Sequence, residues 1–425
     1  MDRPRPAVPL RRRDGRRIRW LWPAFRVKVG GVPQRVPAAP PPLFLLALAA
    51  ACGPAEGTSD APADAVDGAP PDATDDAPVE VIAPGLLRVV FFDIDTGDSI
   101  LVQAPGGRTL LVDLGLPQVY ADGHEADTAR SVTRRIEELT GRRAVDYFLA
   151  SHFHSDHVGT FRSNGQPVSG IGWAVEYGGL AVGTFLDRGR TPPGDSPTQA
   201  DYLRWVENKS NRRVIDGPGR HWVDLGPEVV VEVLAAAGAG VAPAGSDENG
   251  FSLPIRVTFG DLELSLAGDL TGDCNTDLFD VETAVAPLMG AVEVYKVNHH
   301  GSQTSSNLTW LATLHPLVAV IPAGASRFGY PHARVVQALD AFADRYSSGD
   351  GELVLESRDG RTFTIGGRTY TARSEATEAT LEPPPIGIDE KSDALCRNGR
   401  DDDRDGYTDC SDWSCSRCPG LTACR

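Results

Sequence analysis

Nine residues, Ser151-His152-Phe153-His154-Ser155-Asp156-His157-Val158-Gly159, constrain this chain more than any others. They set three histidines and a carboxylate in the spacing H-x-H-x-D-H, in a chain with only 9 histidines among 425 residues. The run before them, from Val145 to Ala150, reads as a buried strand. The cluster therefore falls on a loop where a strand ends, the place where open α/β sheets put their chemistry. Imidazoles and a carboxylate packed this closely suit one or two transition metals.

The flanking sequence predicts an α/β fold. Strands are expected at Leu86–Ile94, Ser99–Gln103 and Thr109–Asp113, with a turn at Pro105-Gly106-Gly107. Ala126–Leu139 has helical spacing and Gly141 stops it. A Gly-rich, irregular region with weaker strands runs to about residue 220. Further strands are expected at Val229–Leu234, Ser252–Thr258, Leu262–Leu266, Val292–Val297, Leu317–Ile321 and Leu353–Leu355. Thr276–Met289, Leu308–Leu314 and Pro331–Tyr346 read as helices. Strand runs interleaved with helices predict two sheets covered by helices.

Several motifs, taken in order, resemble the metallo-β-lactamase fold and, within it, the hydrolase domain of the ComEC/Rec2 DNA-uptake proteins. Phe92-Asp93-Ile94-Asp95-Thr96-Gly97-Asp98-Ser99 is similar to that branch's D-V-G-Q-G-D-S, and Leu111-Val112-Asp113-Leu114-Gly115 matches the first motif of the fold. Ala267-Gly268-Asp269-Leu270 resembles T-G-D-L. Lys296-Val297-Asn298-His299-His300-Gly301-Ser302 resembles K-V-P-H-H-G-S, and Phe328-Gly329-Tyr330-Pro331-His332 resembles Y-G-H-P-H. The resemblance implies a four-layer αββα sandwich over residues 86–375.

It also implies roles. His152 and His154 would hold a first metal, Asp156 and His157 a second, with Asp269 bridging and Asp273 its competitor. His332 would be the last ligand of the second metal. One of His299 and His300 would contact the scissile group or give a proton to the leaving oxygen; the sequence does not say which. Asp113 would orient the metal loop rather than bind metal. Two such metals turn water into a nucleophile at neutral pH, so Asp156, His299 and His300 are the candidate catalytic residues. The fold usually has one more histidine between residues 158 and 268. Only His221 lies there, in the wrong context, and Asn249-Gly250-Phe251-Ser252-Leu253 occupies the region. The first metal would then have fewer ligands, and the site would take Zn²⁺ or Mn²⁺.

The two ends carry different information. Residues 1–52 read as a leader. The apolar run at 43–51 is too short to span a bilayer but fits a secretory signal. It stops at Cys52, a lipidation site in a bacterial lipoprotein pattern. Residues 53–85 hold only acidic charges among Ala, Pro and Gly, the composition of a flexible tether. Export to the bacterial envelope follows, with membrane attachment by a lipid anchor only, or secretion, and no transmembrane channel.

After a linker at 376–395, residues 396–425 crowd five of the seven cysteines: Cys396, Cys410, Cys415, Cys418 and Cys424. Two bridges and one leftover thiol are expected. Asp401, Asp403, Asp405, Tyr407, Asp409 and Asp412 have the spacing of an EF-hand-type calcium loop with Gly406 at its turn, which predicts structural Ca²⁺. The formal net charge of −17 weighs against nonspecific nucleic-acid binding.

The expected function is an exported metal-dependent hydrolase of small or polymeric phosphodiesters, DNA being the branch's precedent. The alternatives are an ester, lactone or β-lactam hydrolase, and a surface scaffold that keeps the metals without catalysis. The sequence leaves the oligomeric state open.

Overall fold

The computed structural model describes residues 85–116, 123–236, 246–273, 279–324, 326–374, 387, 389–403, 407–418 and 421–424, all within one compact unit. The expected leader with Cys52, the tether up to residue 84, Cys274, Asp405 and Gly406 lie outside them. No helix among the described residues is long and apolar enough to cross a membrane.

Two mixed sheets form the centre. The nine-stranded sheet runs from edge to edge as Arg368–Thr371, Thr362–Ile365, Leu353–Ser357, Leu87–Phe91, Ile100–Gln103, Thr109–Val112, Ala144–Leu149, Ala181–Asp187 and Arg212–Val214. It is antiparallel up to Thr109–Val112 and parallel beyond. The six-stranded sheet runs as Asp344–Ser347, Val318–Ile321, Val294–Lys296, Leu262–Leu266, Ile255–Phe259 and Val229–Val233. Its last three are antiparallel and the others parallel.

The residue pattern explains the layers. Val229–Val233 alternates buried and half-buried side chains, so one face meets the core. Thr109–Val112 is buried at every position, as a strand covered on both faces must be. One apolar cluster, including Leu87, Val112, Leu149, Val231, Leu264 and Val320, joins the sheets. A second packs Ala129, Val132, Ile136 and Leu139 of the helix Asp127–Thr140 against the outer face of the first sheet. A third packs the helices Val281–Met289, Leu308–Leu314 and Ala333–Asp340 against the second sheet. Each fully buried Leu or Ile there contributes about 1.5–3 kcal/mol. The chain thus adopts the expected α/β fold, the four-layer αββα sandwich.

Strand direction places the site. Thr109–Val112 and Ala144–Leu149 run parallel with Val112 opposite Leu149, so Asp113 and the metal loop emerge side by side. In the other sheet, Leu264 pairs with Val294 and Lys296 with Val320. Their ends deliver Asp269, the His299-His300 turn and the segment through Tyr330.

Three expectations need correction. The helix expected over Pro331–Tyr346 ends at Asp340, because Asp344–Ser347 is claimed by parallel pairing with Val318–Ile321. The Thr276–Met289 helix starts at Val281, where the Asp280 side chain accepts from Thr283 N–H. The linker expected through residue 395 is docked from Asp389 onward: Asp389 caps the helix Leu308–Leu314, and Lys391 reaches the Gly272 carbonyl and Asp280. The chain also forms a hairpin, Thr362–Ile365 with Arg368–Thr371, turning at Gly366-Gly367, both with positive φ.

Cys396–Cys415 and Cys410–Cys424 are disulfides. Cys418 is disulfide-bonded too, so the expected leftover thiol is not there.

Candidate metal centre

Backbone fit comes first. Asp113, itself left-handed at φ 58°, accepts from both the N–H and the hydroxyl of Ser151 at 2.7 Å. Its Oδ2 lies 2.9 Å from His157 Nδ1. That bond fixes the ring so that Nε2 points inward, the orienting role expected of Asp113. Gly115 is needed for a steric reason: a Cβ there would stand 1.9 Å from the Asp156 carbonyl oxygen. The first strand's neighbour loop thus lies flat against the metal loop.

The cluster draws from both sheets. Ligand atoms of His152, His157 and Asp269 gather within 4.8 Å of one another, and so do those of Asp156, His157 and His300. His157 Nε2 is 3.2 Å from Asp269 Oδ1 and 3.3 Å from His300 Nε2. His300 Nε2 is 3.3 Å from Asp269 Oδ2 and 3.5 Å from Asp156. Asp269, not Asp273, therefore faces the histidines. Its Oδ1 is buried and accepts no hydrogen bond, as a ligand oxygen would in the absence of its ion. Nitrogen donors facing each other around such a carboxylate fit one or two divalent metals.

His154 borders the first of these groups. Its Nδ1 is 3.0 Å from His152 Nε2 and 2.9 Å from Asn249 Oδ1. Asn249 thus stands where the fold's extra histidine was expected. The loop carrying it is clamped by Glu248, which accepts from Phe153 N–H and pairs with Arg188. The Arg188 guanidinium lies 4.7 Å from the rings of both Phe153 and Phe251.

His332 is a correction. It is exposed, it begins the helix Ala333–Asp340, and its Nδ1 accepts from Arg334 N–H. It lines a separate cavity of about 170 Å³ with Lys391, Asp403 and Tyr407. His300 takes the expected place beside Asp156 and His157. The inner histidine of Y-G-H-P-H corresponds to Tyr330 here, and Tyr330 Oη lies 3.3 Å from His299 Nε2. Counting along the motif points to residue 330.

His299 and His300 both occupy left-handed backbone, φ 49° and 55°, a strained conformation typical of functional sites. They differ in access. His300 is buried, and His299 keeps 16% of its side chain exposed.

Charge is balanced from beneath. Asp98 pairs with Lys296, whose ammonium also donates to the Gly268 carbonyl at 2.7 Å and lies 3.7 Å from Asp269. Asp98 is 3.6 Å from His300 Nδ1 and 3.7 Å from His157 Nδ1. Burial opposes a charged His300, but Asp269 and Asp156 outweigh it and push its pKa up to about 9. For His299 burial wins, and its pKa falls to about 4. Asp98 and Lys296 stood in motifs of the sequence without any role attached.

The expected calcium loop is described only at 401–403 and 407–412. The Asp409 carboxylate accepts from Gly399 N–H, and Asp412 caps the short helix Trp413–Arg417. Asp401 and Asp403 instead meet Glu390, from outside the loop, with ligand atoms within 4.8 Å.

No family model matches the sequence. Over 279 residues, 64% of the chain, it is 29% identical to ComE operon protein 3 of Bacillus subtilis (strain 168); the match spans 33% of that protein, about a third of its length. Among solved structures, CmlA, a diiron β-hydroxylase from Streptomyces venezuelae, matches with a TM-score of 0.39 and 15% identity, over 65% of this chain and 55% of that one. Zn²⁺-bound PqqB from Methylobacterium extorquens matches with a TM-score of 0.37 and 11% identity, over 63% of this chain and 99% of that one.

Proposed function

We propose that this chain is a metal-dependent hydrolase of phosphodiester bonds. The observation that carries the proposal is the meeting of His152, His157, Asp156, His300 and Asp269 at the ends of strands from two sheets. His152, His154 and Asn249 would hold one ion, Asp156, His157 and His300 the other, with Asp269 between them. When bound, Zn²⁺ or Mn²⁺ supplies a water-derived nucleophile at neutral pH and neutralises charge on a phosphoryl oxygen. The chain's own groups orient that chemistry. Asp113 fixes the His157 ring, and the Asp98–Lys296 pair holds His300 and Asp269 from below.

The resemblance of the motifs around Asp98, His152–His157, Asp269 and His299-His300 to the ComEC/Rec2 DNA-uptake proteins supports the phosphodiester class. The acidity of the chain favours a small phosphodiester over long DNA. We also place the protein outside the reducing cytoplasm, in the envelope or secreted, a reading supported by its disulfides.

The test is a substrate panel. The full chain, loaded with Mn²⁺ or Zn²⁺, is incubated with bis-p-nitrophenyl phosphate, single-stranded DNA, a lactone and nitrocefin. Hydrolysis of the first, lost in Asp156→Ala, is the expected outcome. Turnover of only the lactone or nitrocefin would replace the phosphodiester reading, and metal binding without any turnover would leave a scaffold.

A further inference from the structure

Access to the metal centre is narrow. His152, His157, His300, Asp98 and Asp269 are at most 1% exposed. Asp156 and His299 keep 15% and 16% of their side chains exposed, and Tyr330 is half-buried. Among the residues of the centre, the accessible side is therefore the one that presents His154, Asp156, His299 and Tyr330.

Tyr330 is held on that side. The Gly301 carbonyl accepts from His332 N–H at 2.8 Å, which ties the Tyr330-Pro331 segment to the His299-His300 turn. Its ring lies edge-on to His299, 5.4 Å between centroids, and 6.2 Å from His300. Its Oη is 3.3 Å from His299 Nε2, and that nitrogen is 3.8 Å from Asp269 Oδ2. His299 Nδ1 lies 3.4 Å from Thr304 Oγ1. A hydroxyl thus stands on the open side, one imidazole away from Asp269, at the end of a short polar chain.

We propose that Tyr330 is a catalytic residue whose Oη gives its proton to the leaving oxygen of the ester. The proposal rests on the hydrolytic reading above. The bond from phosphorus to the oxygen supplied by water forms. The bond from phosphorus to the leaving oxygen breaks with its electron pair on that oxygen. The Tyr330 proton goes to that oxygen, and solvent returns a proton to the phenolate. Burial holds the Tyr330 phenol above the ordinary value near 10, and an alkyl alcohol is a far weaker acid than a phenol, so the transfer helps alkyl leaving groups. It gains nothing for p-nitrophenolate, which leaves without a proton.

The test is a leaving-group series. Wild-type chain and Tyr330→Phe, each loaded with Mn²⁺, are compared on p-nitrophenyl, phenyl and methyl leaving groups of one phosphodiester scaffold. Bound metal is measured by elemental analysis and folding by melting temperature. We expect Tyr330→Phe to keep its metal and to lose about 10²–10³-fold more on the methyl ester than on the p-nitrophenyl ester. Phe328→Ala, at a neighbouring ring that is 58% exposed, should leave the slope of the series unchanged. Equal losses on all three esters, or loss of metal, would assign Tyr330 a positioning role and overturn the proposal; no loss on any would overturn it with no role assigned. Failure of the phosphodiester reading would appear separately, as a wild-type chain inactive on the whole series. The same leaving-group comparison then runs on whichever ester the panel shows to be cleaved.

Discussion

The metal centre and the C-terminal carboxylate cluster are both built to gather negative charge, but they are held in opposite ways. The centre hangs on strand ends, with a large apolar core behind it. Its carboxylates Asp98, Asp113 and Asp269 are buried, and each is answered by Lys296 or a histidine. The cluster of Glu390, Asp401 and Asp403 has oxygen ligands only and lies in a segment fastened by disulfides. A short segment with little apolar area cannot hold its shape by packing, so covalent bonds do it. Mixed nitrogen and oxygen donors suit transition metals, and oxygen donors alone suit hard cations such as magnesium, calcium or manganese. Both regions nonetheless share one device, a buried glutamate that accepts backbone N–H groups. Glu282 accepts from Ser306 and Asn307, and Glu390 from Asp402 and Asp409.

The largest expected effect lies in the centre. Asp269→Ala removes the carboxylate that faces His152, His157 and His300. Hydrolysis should fall on the order of a thousandfold or more, with metal content reduced in the purified protein. Full metal content with full activity would mean that the centre is not what the ligand geometry implies.

Next in size is a pH effect on stability. Burial pushes the Glu282 carboxyl up to about 7, against the hydrogen bonds it accepts. Its folded pKa then lies above its unfolded value of 4.5. The contribution to stability is fully present below pH 4.5 and is lost as pH rises through 7. Over that window the loss is roughly 3 kcal/mol. Urea denaturation of metal-free protein at pH 5 and pH 8 measures it, and Glu282→Gln should flatten the difference.

The smallest effect should come from the C-terminal segment. Calcium at Glu390, Asp401 and Asp403 is expected to bind at about 10⁻⁴–10⁻³ M. Calorimetric titration of the full chain should give that heat in Asp269→Ala and lose it in Asp401→Asn. An unchanged titration in Asp401→Asn would dissolve the contrast between the two regions.

Much of the centre was legible because its ligands sit in short local patterns. H-x-H-x-D-H announces itself, and Asp269 and His300 follow strands whose apolar runs are easy to read. The contacts that finish the site are of another kind. Asn249 meets His154 across 95 residues, and Asp98 meets Lys296 only when the two sheets stack. Nothing in local spacing encodes such a pairing. The order of the motifs points to His332 as a ligand, yet it starts a helix and is exposed. The strands Ala181–Asp187 and Arg212–Val214 were blurred by Gly and Arg, and only parallel pairing, of the first with Ala144–Leu149 and of the second with the first, fixes them.

Half of the centre belongs to each sheet, and that division has a consequence for how the protein matures. His152, His154, Asp156 and His157 come from the first sheet's loop, and Asp269, His299 and His300 from the second sheet's, more than 100 residues later. Neither half of the chain carries a full set of donors. An ion there is a cross-link between two layers, and it can be captured only once both layers have formed and met. Metal uptake should therefore be the last event of folding, and its rate a clock for the docking of the two sheets.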